Sequence, residues 1–345
     1  MKKLILAVLA VMLLILVIGA YLIIGPGTAF ESTSHDLYIH TGMNYDELDS
    51  MLKKDEVIEH PALFKWLANR ISYPVNMKAG KYEIRKGTSL LNMLKMLKNG
   101  RQLPVNLVIT KLRTREDLAG LIGRKFECDS AQFMRYMNNT DTLSFYSLDT
   151  NTFMTMVFPN TYTYFWNTTA PRIFKKMEVA AEAYWTPTRL QEASARGLNR
   201  TTAYILASIV EEETTRKDDK PIIASVYLNR IRSGMRLSAD PTVKFALRRF
   251  DLKRVYEKYL QVESPYNTYM NPGLPPGPIC TPSMESLEAV LSAPTTRYLY
   301  FVAKPDFSGY SNFAETFPEH LKFAREYQKS LDEQMRIGQQ SKGNP

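Results

Sequence analysis

Cysteine is nearly absent from this chain. Cys128 and Cys280 are the only two, too few for a disulfide framework or a thiolate metal cluster. One long-range bridge between them is conceivable, but the sequence favours free buried thiols. Histidine is also scarce. His35, His40, His60 and His320 show neither metalloprotease nor zinc-finger spacing, so no metal is expected. With 16 Gly and 19 Pro in 345 residues, 45% hydrophobic residues and no low-complexity tract, the chain is neither collagen-like nor disordered. It has no arginine-rich arm and no nucleic-acid module signature, so nucleic acid is not an expected partner. What remains is a globular protein of about two domains at ~150 residues each. Its net charge is +9, of which Lys2 and Lys3 supply +2 within the first 24 residues. The remainder suits a polyanion, an anionic membrane surface or an acidic wall polymer, and does not choose among them.

The strongest physical signal lies at the start. Leu4 to Ile24 is a run of 21 residues without a charge. As a helix it would be about 30 Å long, the thickness of a bilayer core. Lys2 and Lys3 precede it, and positive charge stays cytoplasmic, so the body is expected outside. A cleaved signal peptide is the alternative. It would carry a shorter apolar region of ~7–15 residues ending in a small-x-small site. Here Gly25-Pro26-Gly27 ends the run, which favours an uncleaved anchor.

Residues 35–103 read as a small mixed unit. Asp36–His40 is a strand candidate, followed by Gly42 and a helix opened by Asn44. Pro61–Ile71 is a short amphipathic helix. Lys81–Arg85 is a second strand, followed by Gly87 and a helix that Thr88 can cap and Gly100 can stop. The two halves echo each other: Leu48 and Leu52 stand 6 and 10 residues after Gly42, as Met93 and Leu97 do after Gly87. Such a unit suits binding or positioning, or serves as a plain spacer. Further on, Phe153–Trp166 is an apolar, aromatic strand or buried loop broken at Pro159, suited to a core or to stacking on sugar rings. From Pro171 the pattern is strongly helical, including helices over about 201–213 and from Pro221 to Gly234, both apolar enough to be deeply packed. Tyr298–Val302 and Phe307–Phe313 are candidate strands, and a final amphipathic helix runs from Pro318 to about Met335.

The first of those two helices ends in Glu211, Glu212 and Glu213. At about 100° per residue, Glu213 shares a stripe with Leu206, Ile209 and Val210, whereas Glu211 lies beside Ala207 and Ser208. A small-residue face beside an acid leaves room for a ligand. Burial there would raise the carboxyl pKa, as a neutral-pH general acid requires, and the helix C-terminus also disfavours the anion. An acidic run is more often solvated, with Arg216 and Lys217 at hand to neutralise it, and the pattern alone does not prefer Glu211 over Glu213. Glu212 is expected to be solvated. A second polar cluster holds Arg236, Asp240, Pro241 and Thr242, where Asp240 could simply cap the next helix. Tyr266, Asn267, Thr268 and Tyr269 then precede a loop stiffened by Pro275, Pro276 and Pro278, a plausible wall for a carbohydrate cleft or plain scaffolding.

Together, the anchor, AGKYEIRKGTSLLNMLKMLKNG, ILASIVEEET, ASVYLNRIRSGMRLSADPTV, SPYNTYMNPGLPPGPI and YLYFVA before His320 resemble the endolytic murein transglycosylase family, MltG- or YceG-like. The resemblance runs from residue 1 to about 330. It implies an α+β fold with a single transmembrane helix (4–24, after a cytoplasmic stub, 1–3), a small LysM-like α+β module (35–103), a larger mixed catalytic domain with a helical glutamate-bearing core (104–335) and a flexible tail (336–345). It implies a single-pass protein of the inner (cytoplasmic) membrane whose catalytic part is extracytoplasmic. Its partners would be peptidoglycan glycan strands and the synthases of the elongation machinery, with no cofactor. The family's catalytic glutamate, first of an E-x-E pair, falls on Glu211; Asp240, Tyr266, Asn267 and Tyr269 fall on cleft motifs, with Glu213 and Arg236 as further substrate-binding candidates. The implied reaction cleaves the bond between N-acetylmuramic acid and N-acetylglucosamine. One carboxyl acts as acid and then as base, and the muramoyl C6 hydroxyl closes on C1 to leave a 1,6-anhydro end. A non-catalytic wall-binding protein and a muramidase-type hydrolase are the alternatives. This chain departs from the pattern at Met154 and Thr155, where the family often has Glu-Gly, at Asn160 in FPNTY, in NLVITKLRT, which lacks Pro-Glu-Gly, and at Ser311, where a histidine is common.

Overall fold

An uninterrupted apolar run has one economical conformation, and in the computed structural model Lys2–Ile24 is a single helix, α1, with almost every side chain exposed. It is long and apolar enough to cross a membrane. The structure describes residues 1–342, with side chains through Arg336. It is a mixed α+β protein that divides into two compact units.

The first unit comprises residues 1–107, 122–129 and 163–169. After α1 come β1 (Ser34–Ile39), α2 (Tyr45–Lys54), α3 (Pro61–Arg70), β2 (Gly80–Arg85) and α4 (Leu90–Asn99). β1 and β2 pair antiparallel, Ser34 opposite Arg85 and Ile39 opposite Gly80. Strand alternation turns Leu37, Ile39, Tyr82 and Ile84 inward. The internal echo has a structural basis. Gly42 (φ +86°) and Gly87 (φ +82°) both take the left-handed conformation that glycine tolerates, and Leu48, Leu52, Met93 and Leu97 are all buried in one core. Asn44 closes a capping box with Glu47 on α2. On α4 the cap is Ser89, whose Oγ accepts from Asn92 N–H; Thr88, the expected cap, instead donates to the Arg85 carbonyl. Gly100 ends α4 in the left-handed conformation, φ +67°. No spacer separates α1 from this core. Gly27 N–H donates to the Thr88 carbonyl and the Gly27 carbonyl accepts from Glu59 N–H, while Ile23 and Phe30 pack on the core.

β3 (Pro104–Ile109) follows, then α5 (Arg115–Gly123), α6 (Ser130–Asn138), α7 (Thr140–Phe145) and β4 (Asn160–Phe165), which pairs with β3. Phe153–Phe158 is wholly buried, first as a short 3₁₀ turn, so this apolar segment is core. The second unit takes residues 108–121, 130–162 and 170 onward. It contains α8 (Ala170–Tyr184), α9 (Pro187–Ala195), α10 (Arg200–Glu213), α11 (Asp219–Arg232), α12 (Asp240–Ala246), α13 (Met284–Leu291), the antiparallel pair β5 (Tyr300–Ala303) and β6 (Ser311–Ala314), and α14 (Phe317–Lys342). α11 begins two residues before Pro221, because proline is tolerated in the first turn. α14 continues past Met335 to Lys342; the rest of the expected tail, 343–345, lies outside the described residues. At the centre is α10. Asn199 caps it with Thr202, eight consecutive residues from Ala203 to Val210 are buried, and α11, α12 and α13 pack around it. Cys128 and Cys280 are buried thiols that are not bridged to each other.

Candidate active site

A helix buried on every side must surface somewhere, and α10 surfaces at its C-terminus, where Glu211, Glu212 and Glu213 are partly accessible. Negative charge at that end opposes the helix dipole. Each carboxylate therefore needs its own compensation, and each finds a different kind.

Glu211 is held through one oxygen. Its Oε2 accepts from Ser286 Oγ at 2.5 Å, Ser283 Oγ at 2.6 Å, Lys220 Nζ at 3.2 Å and Ser283 N–H at 3.3 Å. Ser283 is also the cap of α13, so the carboxylate sits at a helix N-terminus that welcomes an anion. Lys220 is only 7% exposed and reaches Glu285 at 3.5 Å as well. Burial pushes the Glu211 carboxyl up, but the Ser283 and Ser286 hydroxyls and the Lys220 charge outweigh it and leave the pKa below the usual value. This corrects the expectation that burial would raise it. The small-residue face is not open either: Ala207 and Ser208 are fully buried. Ser208 Oγ accepts from Ile279 N–H at 3.0 Å and the Cys280 thiol donates to the Ser208 carbonyl at 3.4 Å, so the proline-rich segment covers that face.

Glu212, expected to be solvated, is 17% exposed and forms ion pairs with Lys111 at 2.5 Å and Arg113 at 3.1 Å. Arg216 and Lys217 neutralise neither it nor Glu211; Arg216 donates to the Ser308 carbonyl and lies over Tyr310.

Glu213 answers to a buried phenol, as its place on the apolar stripe suggests. Tyr227 Oη donates to Glu213 Oε1 at 2.5 Å. Burial drives this carboxyl up to about 7; the Tyr227 bond and the charges of Arg230 and Lys244 oppose the rise, and the Asp240 charge adds to it. Asp240 accepts from Tyr269 Oη at 2.7 Å and makes no side-chain cap on α12. Glu213, Asp240, Tyr227 and Tyr269 are thus one electrostatic group.

The remaining candidates separate. Tyr266 is partly exposed, packs on Phe245 with centroids 4.7 Å apart, and donates to Asn151 Oδ1 at 3.3 Å. It lines a cavity of about 140 Å³. Gly277 permits this arrangement, because a Cβ there would fall 2.2 Å from the Asn151 carbonyl oxygen and 2.9 Å from Tyr266 Oη. Asn267, expected on the cleft wall, is fully buried. Its amide donates to the Leu260 and Val262 carbonyls at 2.8 and 2.9 Å, and its Oδ1 accepts from Tyr269 N–H at 3.0 Å. A buried amide whose donors are both taken by backbone carbonyls braces a loop. Arg236 is exposed to solvent. At the departures from the family pattern, Met154 and Thr155 are buried, and Ser311 N–H donates to Asp219 Oδ2 at 2.7 Å.

The partners that sequence reasoning missed are Lys220, Ser283, Ser286, Lys111, Arg113 and Tyr227. Most arrive from distant parts of the chain. Two local signals existed: Ser283 stands just before an apolar helical run, as a cap does, and Lys220 and Tyr227 are two helical turns apart on one face of α11.

Residues 37–326 match the model of the YceG-like family. The chain belongs to this family. An endolytic murein transglycosylase of Bacillus subtilis is 30% identical over 91% of this chain and 92% of its own length. A protein of the same name from Streptococcus pneumoniae is 26% identical over 77% of the chain, which spans 53% of that longer relative. Among solved structures, a YceG-like protein of Listeria monocytogenes superposes with a TM-score of 0.55 at 28% identity, covering 85% of this chain and 99% of that one.

Proposed function

We propose that this YceG-like protein is an endolytic lytic transglycosylase that cuts nascent peptidoglycan between N-acetylmuramic acid and N-acetylglucosamine, leaves a 1,6-anhydro end, and so terminates or releases glycan strands. The observation that carries the reading is Glu211, anchored through Oε2 alone by Ser283, Ser286 and Lys220, in a chain whose relative of similar length bears the transglycosylase name. Holding one oxygen fixes the plane of the carboxyl and leaves Oε1 to meet the substrate. Glu211 protonates the glycosidic oxygen, then takes the proton of the muramoyl C6 hydroxyl as that oxygen closes on C1. No water is consumed, so a second carboxyl at hydrolase spacing is not required. Tyr266 and the Asp240–Tyr269 pair form the wall, and Arg236 is an outer contact. Glu213, bonded to Tyr227, tunes the wall through the charge of Asp240. α1 is a single-pass anchor with Lys2 and Lys3 in the cytoplasm. The module at residues 35–103 is LysM-like and holds glycan, and the synthases that extend the strand are the protein partners.

The test is to digest long purified glycan strands with the full chain and follow their length over time and pH. Internal cutting halves the mean length early, before small fragments accumulate. The donors around Glu211 favour its anion, so the acid half draws on a protonated minority: the rate rises as pH falls toward 5. Ser286→Ala removes one donor, raises the Glu211 pKa and moves that rise to higher pH. Release of disaccharides alone from strand ends, at constant mean length of the remainder, would contradict the endolytic reading.

A further inference from the structure

Apart from Tyr266, the cavity beside it has a lining that the cleavage chemistry does not use. Arg113, Arg115 and Arg248 converge on it, with Glu116 as the single acidic residue and Asn151 and Tyr266 as neutral polar groups. Their existing partners differ. Arg113 is committed to Glu212 at 3.1 Å and lies over the Phe250 ring, 4.9 Å from its centroid. Arg115 donates to the neutral Asn138 Oδ1 at 2.6 Å, one bond from a five-donor fork, and the nearby Asp149 feels its charge. Arg248 meets Glu116 at 3.4 Å, with the two side chains 67% and 48% exposed. A pair that long and that solvated contributes little and yields readily to a better anion.

Size narrows the ligand. About 140 Å³ is room for roughly five water molecules at ~30 Å³ each. That room suits a small charged branch better than a sugar ring with its acetamido group. Planar guanidinium forks match a planar carboxylate through paired N–H bonds. We propose that this cavity, through Arg115 and Arg248, binds a carboxylate carried on the peptide branches of the glycan strand, so that the protein selects peptide-bearing over bare glycan. The inference rests on the murein reading of the active site and names a substrate feature which that reading leaves open. Arg113, held by Glu212, shapes the cavity and ties it to the glutamate end of α10.

The experiment titrates the full chain with a soluble disaccharide-peptide and with the same compound after its peptide carboxylates are capped as methylamides. A third ligand has the peptide removed and keeps only the lactyl carboxylate of the sugar. The unmodified protein should bind the free-carboxylate ligand about tenfold more tightly than either of the others. Arg115→Gln/Arg248→Gln should abolish that preference while binding of the capped ligand stays as it was. If the double variant does not fold, Arg248→Gln alone, at the exposed lip, should reduce the preference at least threefold. Equal affinity of the unmodified protein for the free and capped ligands would overturn the proposal. So would tight binding of the peptide-free ligand, which would assign recognition to the lactyl group. Binding is read separately from cleavage. A protein that cuts strands without this preference refutes the cavity and leaves the enzyme, and a protein with the preference that cuts nothing does the reverse.

Discussion

Glu211→Gln should reduce strand cleavage about 10³-fold, within the range that removing a general acid–base commonly costs, while the protein remains folded. Glutamine keeps the volume, and its carbonyl oxygen can still accept from the Ser283 and Ser286 hydroxyls that hold Oε2. What it cannot do is give a proton to the glycosidic oxygen and recover one from the C6 hydroxyl. The two halves of the reaction therefore fail together. The measurement is the rate of new chain ends from purified strands, with the thermal transition as a folding control. Glu212→Gln is not the silent comparison that its middle position suggests, because Lys111 and Arg113 both depend on it. A folded Glu211→Gln protein that cuts at the normal rate would remove Glu211 from the chemistry.

Glu213→Gln should change stability instead, and only over part of the pH range. The folded-state pKa of Glu213 is raised from 4.5 to about 7, so the folded protein holds a proton that the unfolded chain has already released. Folding is favoured where that proton is bound; as pH rises from about 4.5 to 7 this advantage is lost, and above 7 the buried anion is present in full. The difference is up to about 3 kcal/mol between the ends of that window. Glutamine resembles the protonated carboxyl and still accepts from Tyr227. The variant should match the unmodified protein near pH 4.5 and melt several degrees higher near pH 8, where ~1 kcal/mol corresponds to roughly 2–4 °C for a unit of this size. Parallel melting curves across pH 4.5–8 would mean that Glu213 does not carry this proton.

How far these side chains could be read in advance depended on the distance over which each is organised. The echo around Gly42 and Gly87 was legible because turn, helix and buried leucine or methionine all fall within 10 residues of each glycine. The burial of α10 was legible from its unbroken apolar character, and the place of Glu213 from helical phase alone. The protonation of Glu211 was not. It depends on Ser283 and Ser286, more than 70 residues away in sequence, and on Lys220, whose short distance along the chain says nothing about which glutamate it faces. Asn267 misled for a related reason. A polar run before prolines can face a ligand or its own backbone, and only the fold shows that the Leu260 and Val262 carbonyls consume its amide. The loop cover on Ser208 has the same origin, since it joins positions 71 and 72 residues apart.

In the proposed reaction Glu211 moves the proton while the sugar's own C6 hydroxyl, not water, attacks C1. Mass analysis of the new ends decides it. Strands cut by the unmodified protein should carry ends one water lighter than a reducing sugar, and borohydride should leave those ends unchanged. New ends of full reducing-sugar mass that borohydride does reduce would show that water is the nucleophile, and the protein would then be a muramidase.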